Sequence, residues 1–348
     1  MQTSQRHPRI LIVRLSAIGD VVHGLPVLCA LRAAYPQAFL AWVVEGRTAE
    51  ILRCHPALDE LIVVPRGWLK RAREVWTLAR TLRRLEFDTA IDVQGLTKSA
   101  VAARLSGAKR RVGFDGVDGR EVSRWLNNRL VLPAATHVVD RNLELLRALD
   151  IDRPQARFDL TVPPADHAAA DRLLEGLSLA GPFAVINPGA GWPSKLWPAE
   201  RFAAVAHRLG QSRGVPSLVV WAGAQERAAA EQIVAASGSW AKMAPPTSLG
   251  ELVAIARRAT LFLSSDTGPL HLAAAVGTPC VGLFGPMPAE RNGPYGPGHI
   301  AVEKMRMTGA SRERRTAGPE VMQSINVDDV CTACEQILQR ESAVRRSA

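Results

Sequence analysis

A chain of 348 residues, 47% hydrophobic and 22% charged, is too long for one ordinary core and too apolar to be disordered, so two domains of roughly 150–200 residues each are expected. No apolar run reaches the ~18–20 residues that span a bilayer, and the opening MQTSQRHPR has neither the apolar core nor the small-residue cleavage site of a leader, so a cytoplasmic protein is expected. The net charge of +10 points to an anionic partner, whether nucleic acid, lipid headgroups or a phosphorylated substrate, although the part of it in Arg340, Arg345, Arg346 and the SRERR ending at Arg315 reads equally as solvated surface.

Strand-like and helix-like segments alternate along the chain. Ile10–Val13 reads as a buried strand, Val21–Tyr35 as a helix with Leu25, Leu28, Leu31 and Ala34 at steps of three, and Phe39–Val44 as a second strand. A short helix at Ile51–Arg53 and a strand at Leu61–Val64 follow. Leu69–Leu85 is predicted as an amphipathic helix packing Leu69, Ala72, Val75, Trp76, Ala79 and Leu82, with Lys70, Arg71, Arg73, Arg80, Arg83 and Arg84 on the remainder. Thr89–Val93 is a strand of the fully buried type.

The alternation breaks at the proline-bearing stretch from Leu149 to Pro164, the expected linker. It restarts with strands at Phe183–Ile186, Ser217–Trp221, Leu261–Leu263 and Cys280–Phe284. Helices fall at Phe202–Leu209, Gln225–Ala236, Leu249–Arg258 and Leu270–Val276, and a closing helix at Val327–Gln339. This order predicts an α/β protein of two Rossmann-like, doubly wound domains, residues 1–160 and 161–348. They would face a central cleft, with ligands at the carboxyl ends of the strands.

Three loops carry residue types suited to chemistry. In RLSAIGDVVHGLP, directly after the first strand, Asp20 is the only acid; by itself it reads as a cap on the following helix. In NPGAGWPSKLWP, Gly189 and Gly191 allow a tight turn and close approach to a ligand, and Lys195 supplies a point charge suited to phosphate. An ordinary strand-to-helix loop with a surface lysine fits that stretch equally.

In SSDTGPLHLAAAVGTP, Pro269 suits a first helical turn, which puts Asp266, Thr267 and Gly268 at a helix N-terminus, an anion site, with His271 one turn in. The alternative there is a simple cap with a core histidine. Of the five cysteines, only Cys331 and Cys334 are spaced C-x-x-C, in a helical pattern without a second pair. Reduced, mostly buried thiols are expected rather than zinc.

Taken in order, RLSAIGDVVHGLP, DVQGLTKSA, NPGAGWPSKLWP and SSDTGPLHLAAAVGTPCVGLFGP resemble the ADP-heptose:lipopolysaccharide heptosyltransferases, bacterial enzymes of the GT-B glycosyltransferase fold. The resemblance covers nearly the whole chain. It implies an inverting transferase that uses ADP-heptose as co-substrate, with no metal and no cofactor. It implies a diphosphate site of Lys195, Asp266, Thr267, Gly268 and His271, with Gly189 and Ala190 in the same donor loop, the ribose on Glu226, and adenine near PPTSLGE, hence Thr247.

On the acceptor side the resemblance makes Asp20 the general base, flanked by Ser16 and Gly19, and Lys195 a catalytic cation for the leaving group. DVQGLTKSA with GREVSRWL and THVVDRN is most similar to the branch that adds the first heptose, to the Kdo of lipid A. This implies that Arg66, Lys70, Arg71, Arg120 and His137 grip acceptor carboxylates and phosphates. For the helix residues, a solvated face is the competing reading. A later core heptose, or another sugar, is the alternative acceptor. The implied protein is a monomer, peripheral at the cytoplasmic face of the inner membrane.

Some features depart from this pattern. Gly189, Ala190 and Gly191 stand where the family has threonines, Met305–Pro319 matches none of its motifs, and the D-x-D of Asp150 to Asp152 falls in the linker. A nucleic-acid-binding protein is suggested by charge alone, with aromatics at only 5% to stack bases, so no nucleic-acid partner is expected. A nicotinamide enzyme would need a G-x-G-x-x-G after the first strand, and SAIGD lacks it.

Overall fold

The computed structural model describes residues 7–309 and 311–347; Met1–Arg6 of the opening segment, and the side chains of Arg345 and Arg346, lie outside the described residues. The chain divides into two compact units between Thr161 and Val162.

In the amino-terminal unit, strands β1 (Arg9–Val13), β2 (Phe39–Glu45), β3 (Glu60–Val64), β4 (Thr89–Asp92), β5 (Arg110–Phe114) and β6 (Arg129–Val131) form one sheet in the order β3-β2-β1-β4-β5-β6. Every neighbouring pair is parallel. Leu11 to Val13 and Leu40 to Val44 are fully buried without alternation, which only a sheet covered by helices on both faces accommodates. From β1 the chain winds to one side through β2 and β3; from β4 it winds to the other. The segments leaving the adjacent carboxyl ends of β1 and β4 therefore diverge, opening a crevice there.

The carboxy-terminal unit repeats the plan. β7 (Ala184–Asn187), β8 (Ser217–Val219), β9 (Ala241–Met243), β10 (Leu261–Ser265), β11 (Cys280–Phe284) and β12 (Ile300–Glu303) run parallel in the order β12-β11-β10-β7-β8-β9. Its core joins Ile186, Leu263 and Leu283 of the sheet to Phe202 and Leu209 of the helix Ala199–Arg213. Cys331, Cys334 and Ile337 of the helix Val327–Ser347 complete it. Trp197 forms the corner: its ring meets Phe202 edge-on at 4.8 Å, and its Nε1–H donates to the Ile325 carbonyl at 3.0 Å. Burial pushes the Cys331 thiol up to about 11 and that of Cys334 well above its ordinary value, so both are core thiols poorly suited to bind metal. Cys54 is the exposed member of the five cysteines.

Several elements differ from expectation. The helix over Val21–Tyr35 is instead two, Ile18–Val22 and Leu25–Ala34, broken at His23 and Gly24, where the Trp42 ring packs so close that a Cβ on Gly24 would lie 2.9 Å from it. The turn of helix at Ile51–Arg53 is a 3-10 segment, Gly46–Ile51. Leu69–Leu85 resolves into a 3-10 turn, Trp68–Lys70, and the helix Ala72–Arg84 with a rotated packing face. Leu78 and Leu82 are buried there, with Val75 and Leu85 packed alongside, whereas Trp76 is 62% exposed under the Arg80 guanidinium. The true face steps by three and four; the expected one admitted Trp76 for its size although it lies off that stripe. Strands β5, β6, β9 and β12 are short or polar and carry little apolar signal, and the closing helix runs on to Ser347.

The rotated face fixes the energetic weight of these side chains. Leu82→Ala is expected to cost about 2–5 kcal/mol. Trp76→Ala should shift stability by no more than about 0.5 kcal/mol. Urea unfolding of the two variants measures the contrast, and equal losses would restore the expected face.

Candidate functional site

In the amino-terminal unit, the exits of β1 and β4 are tied together by buried polar groups. Arg14, only 8% exposed, donates from Nη1 to the Val93 carbonyl at 2.5 Å and pairs through Nη2 with Asp20 Oδ1 at 2.6 Å. The Leu15 N–H donates to Gln94 Oε1 at 2.9 Å. Asp20 is the third residue of the helix Ile18–Val22, and its Oδ2 accepts the Ala17 N–H at 3.0 Å. It thus closes the helix from inside its first turn, rather than capping a helix that starts at Val21, and it is counter-ion to a buried guanidinium. Its side chain remains 41% exposed, and a carboxylate with two such contacts has further lone pairs to offer.

Around Asp20, Ser16 Oγ accepts from Lys98 Nζ at 3.0 Å, and the same ammonium pairs with Glu45, at the end of β2, at 2.8 Å. The Gly19 carbonyl accepts the His23 N–H. Asp92, the last residue of β4, is buried; burial pushes its carboxyl up, against hydrogen bonds that include Asn127 and the Gly95 and Gln94 amides. Gly95 turns there with φ +66°, and a Cβ would meet the Asp118 carbonyl oxygen at 2.2 Å, so no larger residue fits.

The remaining residues expected on the acceptor side are dispersed. Arg66, Lys70 and Arg71 are exposed and follow β3, the edge strand two places from β1. Arg120 is exposed, and its backbone N–H donates to the Gly95 carbonyl, which keeps it beside the loop after β4. His137 caps the helix Val138–Glu144, accepting the Val139 N–H on Nδ1 at 3.2 Å, with its ring edge-on to His23.

In the carboxy-terminal unit, the corresponding exits are those of β7 and β10, and most of the expected donor residues converge on them. Lys195 Nζ pairs with Asp266 Oδ2 at 2.5 Å and reaches the Asp266 carbonyl at 3.3 Å. His271 Nε2 lies 3.1 Å from Asp266 Oδ1, and both side chains are buried. Burial alone would push the Asp266 carboxyl up; the His271 hydrogen bond and the Lys195 charge outweigh it and hold the group below the usual carboxylate range. Thr267 is the N-cap of the helix Gly268–Ala275, and Pro269 lies in its first turn. The first-turn N–H groups have no carbonyl one turn earlier to bond, so they and the helix dipole favour an anion.

Asn187 links the two exits. Its Nδ2 donates to Ser264 Oγ at 2.9 Å and reaches Thr267 Oγ1 at 3.3 Å. Gly189 is buried and Ala190 half-buried. A Cβ on Gly189 would fall 2.2 Å from the Glu226 carboxylate, which shows how closely Glu226 approaches that loop. Burial pushes the Glu226 carboxyl up, partly opposed by the Ala222 N–H that it accepts at 2.8 Å. Thr247 is half-buried just before Ser248, whose side chain forms a capping box with Glu251.

The geometry adds Arg14, Glu45, Lys98, Asn187, Ser264 and Trp192 to the residues singled out by sequence. Arg14, Lys98, Asn187, Trp192 and Ser264 lie inside the motifs themselves, whereas nothing local marks Glu45, which reaches the site through sheet pairing. An ionised carboxylate only accepts hydrogen bonds, and Asp266 is engaged here by Lys195 and His271.

The sequence pattern of glycosyltransferase family 9 (heptosyltransferase) matches residues 75–321. Lipopolysaccharide heptosyltransferase 1 of Pseudomonas aeruginosa is 33% identical over 298 residues, 83% of this chain and 81% of that protein. The solved structure of the Escherichia coli heptosyltransferase WaaC with ADP superposes with a TM-score of 0.74 at 28% identity, covering 94% of this chain and 99% of that one. The family 9 glycosyltransferase of Veillonella parvula superposes at 0.86 over 97% and 99% of the two chains; at 22% identity it speaks for the fold alone.

The Asp266 cluster makes stability depend on pH with a definite sign. A carboxyl held below its ordinary value stabilises the fold above the ordinary carboxylate range, and this contribution disappears as pH falls through the lowered value. Asp266→Asn should therefore be less stable than the parent at neutral pH, by up to about 3–5 kcal/mol for a broken buried pair. The gap should narrow in acid. Thermal melts of both proteins across an acid-to-neutral series measure it; a gap independent of pH would show that charge is not what Asp266 contributes.

Proposed function

The chain belongs to glycosyltransferase family 9 and is a heptosyltransferase of the lipopolysaccharide core; from that membership we propose that it transfers heptose from ADP-heptose to the Kdo of lipid A, with inversion at the heptose C1. The observation that carries the donor half is the Lys195–Asp266–His271 cluster beside the N-terminus of the helix Gly268–Ala275. An ADP-sugar donor is further supported by the relatives solved with ADP and with ADP-2-deoxy-2-fluoro heptose.

In this reading the carboxy-terminal unit holds the donor. Lys195 and the first-turn N–H groups take the diphosphate, with the Gly189 and Ala190 backbone beside it, Glu226 accepts from the ribose hydroxyls, and adenine lies by Thr247. The amino-terminal unit serves the acceptor. Asp20, flanked by Ser16 and Gly19, removes the proton of the acceptor hydroxyl, whose oxygen attacks C1. The bond from C1 to the diphosphate oxygen breaks, and ADP departs with the electron pair. Lys195 and the helix N-terminus stabilise that negative charge, so no metal is required. The Arg14 pair orients Asp20. Arg66, Lys70, Arg71, Arg120 and His137 meet the acceptor's carboxylates and phosphates.

Such an acceptor places the enzyme at the cytoplasmic face of the inner membrane as a peripheral protein; among the described residues no helix is long and apolar enough to cross a membrane. The test is incubation with ADP-heptose and Kdo-bearing lipid A in excess chelator. ADP release with a lipid heavier by one heptose supports the reading. Transfer only to a lipid that already bears heptose assigns a later core step, and dependence on added Mg²⁺ ends the metal-free mechanism.

Two variants separate the halves. Asp20→Asn keeps the size of the side chain and one of the two acceptor oxygens that Arg14 and Ala17 use, and removes the base, so kcat should fall about 10²–10⁴-fold while the Kd for ADP holds. Weak ADP binding with normal saturated turnover would move Asp20 to the donor side. Lys70→Glu with Arg71→Glu should raise the acceptor KM by roughly ten- to a hundredfold, the weight of a charge-assisted contact, without changing the KM for ADP-heptose. An unchanged acceptor KM in the folded double variant would mean that these cations merely face solvent.

A further inference from the structure

The stretch Met305–Pro319, which matches none of the family's motifs, folds onto the loop that carries Lys195. Ser194 Oγ donates to the Arg314 carbonyl at 2.9 Å, and Arg314 is itself anchored, with Nε donating to the Gly309 carbonyl at 3.1 Å and Nη1 reaching the Met287 sulfur at 3.6 Å. These contacts bring the next residue, Arg315, over the Trp192 ring, its Cζ 4.7 Å from the centroid. Lys195 Nζ lies 4.4 Å from the same centroid. Two cations thus share one indole.

Their surroundings differ. Lys195 is neutralised by Asp266 at 2.5 Å, whereas Arg315 is exposed and has no carboxylate within ion-pair distance among the described residues. The indole face attracts a guanidinium without cancelling its charge. A forked donor with unspent charge therefore shares an indole with the lysine that the proposed function assigns to the diphosphate. A guanidinium binds phosphate oxygens in pairs, and the contact with the ring restrains its position beforehand.

We propose that Arg315, stacked on Trp192, is a second cation for the diphosphate of the nucleotide-sugar donor. The inference rests on the proposed donor site. It makes SRERR part of that site, where its composition reads as solvated surface.

Calorimetric titration with ADP, and with adenosine as the probe that lacks phosphate, tests this without needing the acceptor or the sugar. Arg315→Ala should weaken ADP by about ten- to a hundredfold and leave adenosine unchanged. Arg315→Lys, which keeps the charge but not the stacked fork, should fall between, and Trp192→Leu should weaken ADP while Arg315 itself is intact. Arg312→Ala, on the same short helix, should bind ADP as the parent does. Parental ADP affinity in Arg315→Ala, or a parallel loss of adenosine binding, overturns the proposal and leaves the donor site standing. A parent protein that binds no ADP removes the donor site and the proposal together.

Discussion

The reversal of strand order in each sheet is the constraint on which the rest of the molecule depends. Where the chain winds one way from one strand and the other way from its neighbour, the two following segments part, and the polar groups at those strand ends lose the cover that a continuing loop would supply. They must then satisfy one another. At β1 and β4 this is done by Arg14 on the Val93 carbonyl and Gln94 on the Leu15 amide. At β7 and β10 it is done by Asn187 on Ser264 and Lys195 on Asp266. The same positions that need internal partners are those where a ligand finds unshielded donors.

Both switch points pair a cation, buried at Arg14 and half-buried at Lys195, with a carboxylate set to hold it. Such pairs add little net stability, because desolvation offsets most of the attraction, but they fix geometry. Arg14 and Asp20 hold the first loop; Lys195, Asp266 and His271 hold the second. In the second, the carboxylate holds both Lys195 and His271 in place. Side chains oriented in advance lower the cost of ordering on binding.

The positive charge of the chain is unevenly engaged. Arg14 is buried between Asp20 and the Val93 carbonyl, Arg80 lies over an exposed tryptophan, and Arg66, Lys70 and Arg71 stand in solvent after the edge strand β3. Net charge thus says that an anion is welcome without saying where. The neighbours of each cation set it apart: Arg315, for one, lies over Trp192.

The sequence by itself determined the doubly wound plan, since unbroken apolar strands such as Ile10–Val13 and Cys280–Phe284 suit only a sheet covered on both faces. It also marked the loops, because glycine, proline and a lone charge at a strand exit are local signals. Tertiary structure alone decided what each charge does. That Asp20 answers to Arg14 is hidden in a helix starting three residues earlier than its apolar spacing suggests, and that Asp266 meets Lys195, 71 residues away in the chain, is equally hidden. Glu45 at the Lys98 ammonium, Glu226 at Gly189, and Arg315 on Trp192 are likewise partners set by sheet order and packing. Period and composition report how a residue relates to its own element; an ion pair or a stacked ring depends on which other element arrives, and that is set only when the sheets close.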